Sequence, residues 1–185
     1  MRKITALFKS LLVAVALHAG VASAGTTFYT DDTTGSSTFT RPLADLSGLS
    51  SVGVDVAYDT FAFSVDTAGT YSFRSFALPL RGAWDNFLIL YQGSFDPSNS
   101  LANAIVANDD FNATIGRSGF DVALTTGTAY VLVTTGFAPE DFGRYATLVR
   151  GPGSLTAPVP EPGTYALILA GLGVVGLVAR RRNAA

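Results

Sequence analysis

The chain has 185 residues, no cysteine, one histidine and a net charge of −2, but between positions 25 and 157 six arginines stand against thirteen acidic residues, a net charge of −7. An acidic middle argues against nucleic acid as a partner, since such binding needs cationic groups to displace counterions from phosphates. Without disulfides its stability must come from an apolar core, and the 133 residues of that segment suffice to bury one.

In chain order, positions 1–10 are short and positive, with Arg2, Lys3 and Lys9. Positions 11–17 are apolar, and Ala22, Ser23 and Ala24 offer the small side chains that a signal peptidase pocket accepts. This is the pattern of a secretory signal over 1–24, with signal peptidase cleaving after Ala24. The apolar run is short for a retained membrane helix. His18 lies inside this signal, so the mature segment has no His, Cys or Lys. A Ser-His-Asp triad, a Cys-His pair, a Schiff-base lysine and a His/Cys zinc site are thereby excluded from this chain.

Positions 25–157 show no convincing helical period. Short runs rich in Phe, Tyr, Val and Thr are broken by Gly, Asp, Asn and Pro. Positions 26–41 are polar with weak strand character, fit for an edge. Phe61, Phe63 and Val65 alternate with Thr60, Ala62 and Ser64, and after a turn at 66–69 Tyr71 and Phe73 share a face. Positions 58–76 therefore read as a hairpin. Positions 86–91 are apolar on both faces, as in a central strand, and 95–99 read as a turn built on Asp96 and Pro97. Further strands are expected at 104–108, 120–124, 129–135 and 144–150. About eight short, regularly spaced strands predict an all-β fold, an antiparallel, jelly-roll-like β-sandwich over 25–157.

The chain ends in Val159-Pro160-Glu161-Pro162, an apolar stretch, and Arg180, Arg181 and Arg182. The two prolines fix φ and disfavour helix in their neighbours, keeping the motif extended. The sixteen residues 164–179 would span about 24 Å as a helix, slightly less than a bilayer core of about 30 Å. The arginines favour the cytoplasmic side, which leaves the sandwich outside. The alternative is an ordinary single-pass anchor that is never cut.

This arrangement over 158–185 resembles the PEP-CTERM sorting signal of Gram-negative bacteria. Gly163 and Tyr165 stand where Ser and Trp are frequent, and the Pro-Glu-Pro core is intact. The resemblance implies cleavage by exosortase, a membrane-embedded enzyme, after transient residence in the inner membrane. It also implies association with exopolysaccharide and biofilm material at the cell surface. The middle is similar, more loosely, to the bacterial pre-peptidase C-terminal domain, through positions 59–65, Asp85 before 88–91, Asn108-Asp109-Asp110, 127–133 and 143–148. That resemblance implies an accessory jelly roll, some of whose members bind calcium or matrix polymers.

Asp109 and Asp110, with Asn108 and with Asp85 brought near by strand pairing, form the densest oxygen cluster and the candidate calcium site, since calcium takes six to eight hard oxygens. The competing reading is a solvated Asx loop. Trp84, in a Gly-rich turn, is the candidate platform for a sugar ring, ahead of Tyr29, Tyr91 and Phe95, which suit a core. The expectation is a non-enzymatic exported surface or matrix protein. A calcium- or carbohydrate-binding module is the alternative, and a small acid/base hydrolase a distant third.

Overall fold

The computed structural model describes residues 24–79, 84–156 and 171–172. Ten strands run in order: β1 (Gly25–Asp32), β2 (Thr38–Phe39), β3 (Val56–Val65), β4 (Gly69–Ala77), β5 (Asn86–Gln92), β6 (Ala104–Asn108), β7 (Arg117–Leu124), β8 (Tyr130–Gly136), β9 (Arg144–Gly151) and β10 (Leu155–Thr156). A single-turn 3₁₀ helix, Pro97–Asn99, is capped by Asp96, whose carboxylate accepts the Ser98 N–H at 2.9 Å. That is the turn expected from Asp96 and Pro97.

The strands form two antiparallel sheets. One has the order β1-β9-β4-β7; the other has β10-β3-β8-β5-β6, with β2 added beside β3. Apart from the β5–β6 pair, which stays in the larger sheet, the eight long strands alternate between sheets in jelly-roll order. The expected all-β sandwich is present, with two two-residue strands added at its margins.

Alternation decides which side chains fill it. Phe63, Val65, Leu88, Leu90, Tyr130 and Leu132 from the larger sheet meet Tyr71, Phe73, Phe120, Leu124 and Val149 from the smaller, all buried. The expected core faces of β3 and β4 are correct at Phe63, Val65, Tyr71 and Phe73, while Phe61 is half-buried and stacks on Tyr29 at 4.6 Å. Strand β5 is apolar on both faces because both are covered. Its outward residues Phe87, Ile89 and Tyr91 pack under Phe39, Val56 and Phe95.

The hairpin expected over 58–76 is not formed. Strand β3 pairs with β8, β4 pairs with β7 and β9, and the chain at 66–68 crosses from one sheet to the other. Both strands have one apolar face, and in a sandwich each buries it against the opposite sheet. A turn of this length permits the crossing as readily as a hairpin. Asp66 holds the crossing by accepting the Ser154 N–H at 2.9 Å.

The outer face of the larger sheet is covered in part, over β5, by the chain at 39–55. Arg41, only 2% exposed, ties that cover down. Its guanidinium lies over the Phe87 ring at 4.1 Å and donates to the Phe137 carbonyl at 2.9 and 3.1 Å and to the Pro42 carbonyl at 3.0 Å. A stacked, forked cation fills this place as a point charge could not.

Candidate metal centre and sorting motif

Strands β5 and β6 are antiparallel neighbours, with Leu88 opposite Asn108. This register sets the residue before β5 beside those after β6. Asp85, Asp109 and Asp110 converge there, each offering a carboxylate oxygen within 4.8 Å of the others. All three are half-buried, yet Asp109 Oδ1 and Asp110 Oδ1 are shut off from solvent and have no hydrogen-bond partner. Acceptors deprived of both water and donors are costly unless a cation or proton satisfies them.

The electrostatics agree. Burial, then the charges of Asp85 and Asp110, push the Asp109 carboxyl up to about 6. Burial raises Asp85 as well, against the Gly116 N–H that donates to its Oδ1 at 3.4 Å. The buried Arg41 and the carboxylate of Asp141 both act on this pair, from opposite directions. Asp141 sits after β8, and its two oxygens accept the N–H groups of Asp85 at 3.0 Å and Ala138 at 3.1 Å. Asp141 and Arg41 are far away in sequence and gave no local signal of belonging here. Hard oxygens, net negative charge and two unsatisfied acceptors fit a divalent cation of the calcium type.

The other expected residues are placed differently. Asn108 commits its side-chain oxygen to the Gly119 N–H at 2.9 Å. Trp84 is half-buried, its indole N–H donates to the Arg144 carbonyl at 3.1 Å, and its ring edge would meet a Cβ on Gly143 at 2.9 Å. Tyr91 is fully buried, and its hydroxyl donates to the Ser100 carbonyl at 2.8 Å. A separate open groove of about 510 Å³ runs over the outward side of β3 and β8. Its lining (Ala62, Ser64, Gly93, Ala129, Val131, Thr156 and neighbours) carries no charged side chain, so it adds no chemistry to the carboxylate cluster.

The described sandwich ends at β10. Ala24 is the last residue of the expected secretory signal, and β1 begins at the next position. Ala22, the motif Val159, Pro160, Glu161 and Pro162 and the cluster Arg180, Arg181 and Arg182 lie outside the described residues, and so does the expected membrane helix except for 171–172. Among the described residues no helix is long and apolar enough to cross a membrane.

Residues 158–182 match the PEP-CTERM protein-sorting motif. The chain carries a PEP-CTERM signal. No curated protein matches the chain. A PEP-CTERM signal marks an exported protein whose membrane-anchored precursor is processed by exosortase for the cell surface, and the bearers of such signals are typically surface proteins rather than enzymes. In this chain the PEP-CTERM signal begins two residues after β10.

Proposed function

We propose that this chain is a non-enzymatic surface or matrix protein of a Gram-negative bacterium, associated with exopolysaccharide or biofilm material. Its jelly roll holds calcium at Asp85, Asp109 and Asp110. The observation that carries the destination is the PEP-CTERM match over 158–182, with its order of Pro-Glu-Pro, apolar stretch and arginines. Proline at 160 and 162 disfavours helix in its neighbours, which would suit a protease-like partner. Glu161 is the one carboxylate after Asp141 and so a distinct handle. Signal peptidase, the inner membrane and exosortase are met in turn, and the sandwich is what remains.

Two unpartnered, solvent-shielded oxygens support calcium over a solvated Asx loop. Calcium would neutralise the cluster and tie the chain before β5 to the chain after β6. No comparable observation favours a sugar at Trp84, whose N–H is already committed. The destination is tested by changing Glu161 to Ala in the producing cells and following the protein by fractionation. The precursor is expected to accumulate in the membrane fraction, uncut. Release of the variant at the parental rate would reject exosortase reading of the motif.

A further inference from the structure

The arginines of the sandwich are not scattered. In the smaller sheet the residues at Thr26, Phe28, Thr30 and Asp32 on β1 lie opposite Arg150, Leu148, Ala146 and Arg144 on β9. The same outward face continues through Arg74 on β4 and Arg117 on β7. It therefore holds every described arginine except the buried Arg41. Arg74 is spent within the fold: it lies flat over Gly119, where a Cβ would come within 2.8 Å of its Cδ, and pairs with Asp121 at 2.8 Å. Arg117, Arg144 and Arg150 are exposed and form no ion pair among the described residues. Phe28 stands among them 64% exposed.

The opposite side of the sandwich is the converse. The cover at 39–55 exposes Leu43, Leu49, Val52 and Val54, four of the nine large apolar side chains exposed among the described residues. Around them Asp45 and Asp55 are exposed, and the one cation of the segment, Arg41, is buried. One side carries Phe28 and an arginine surplus, Asp32 facing Arg144 and Asp121 pairing Arg74 but Arg117 and Arg150 left over; the other is apolar and anionic. Such a pair of unlike faces suits a head-to-tail contact, which extends into a row when its rotation does not close. At ionic strength near 0.1 M the Debye length is about 10 Å, so the net charge of −7 is screened across the domain while touching charges are not.

We propose that copies of this protein stack head to tail, the arginine face of the smaller sheet receiving the acidic, apolar cover of the next copy. The partner is a second copy because both complementary halves are present on one chain, on opposite sides. An acidic polymer would use the arginines but leave the exposed Leu and Val of the cover without a role.

Sedimentation velocity of the exported protein, as recovered from the producing cells, tests this with two variants. One, Phe28→Ser with Arg150→Gln, weakens the sheet face; the other, Leu49→Ser with Val52→Ser, weakens the cover. All four positions are exposed or flanking, and unchanged melting temperatures verify the fold. The parent is expected to form a concentration-dependent series of oligomers. Each variant alone should self-associate about tenfold more weakly, since every 1.4 kcal/mol lost at a contact is a factor of ten. An equimolar mixture should regain one species of two chains and nothing larger, because each variant keeps one sound face. A parent that stays monomeric, a mixture that regains nothing, or a variant that assembles like the parent overturns the proposal. Monomers that bind a uronate polymer through Arg150 overturn it as well.

Discussion

Asp109 is the residue on which the cation reading is most exposed to test. Its carboxyl is raised from 3.8 to about 6 by burial first and by Asp85 and Asp110 next. An acid whose folded pKa is raised holds its proton more tightly folded than unfolded. The cation-free protein should therefore gain stability as pH falls through about 6 toward 3.8 and lose it as pH rises back through that window. Calcium should act at the neutral end, where the carboxylates are ionised, and raise the melting temperature there; mass action makes that rise grow with calcium concentration. Asp110→Asn should abolish the calcium response and leave the chelated protein at least as stable as the parent near pH 7, because it removes repulsion. Melting curves with calcium and with chelator check both, and a calcium-insensitive parent contradicts the site. Three carboxylates of this cluster were legible because the β5–β6 pairing was legible. Asp141 and Arg41 were not, since they arrive through the loops after β8 and β2, whose paths no local pattern encodes. Asn108 has a ligand's chemistry but an engaged oxygen, 2.9 Å from the Gly119 N–H, and spacing alone cannot reveal that.

At the scale of elements, strand positions followed from alternation and turn residues, and pairings other than β5–β6 did not. Strands β6, β7, β8 and β9 fall where Val, Ile, Tyr and Phe alternate or cluster between Gly, Asp and Asn. The crossing between β3 and β4 was read as a hairpin because its turn chemistry is identical; only the opposite sheet, which each strand needs for its apolar face, distinguishes the two. Leu132 on β8 tests the packing that results. It is 1% exposed in the main core cluster and sits opposite Phe61 and Leu90 on its two neighbours. Leu132→Ala should cost about 3 kcal/mol, the middle of the range for a buried Leu that leaves a cavity. Urea unfolding with an unchanged m-value checks it. A loss below about 1 kcal/mol would mean that the two sheets are not packed as described.

The whole molecule divides into a sandwich that explains itself physically and a label that explains where it goes. The core of the described sandwich closes between β1 and β10. The label was the most legible part of the chain, since a Pro-Glu-Pro motif, an apolar stretch and terminal arginines in fixed order are chemically unlike anything in the domain. The domain's own role was less legible, because jelly rolls serve many functions and a fold alone names none. The central claim is that the chain is an exosortase substrate that leaves its C-terminal segment behind. The intact mass of the protein recovered from its native host, with and without exosortase, tests this most directly. Cells with the enzyme should yield a chain beginning at Gly25 and lacking the residues beyond the Val159–Pro162 motif, and cells without it a chain that keeps them. A protein still ending at Ala185 in cells that contain exosortase would contradict the account.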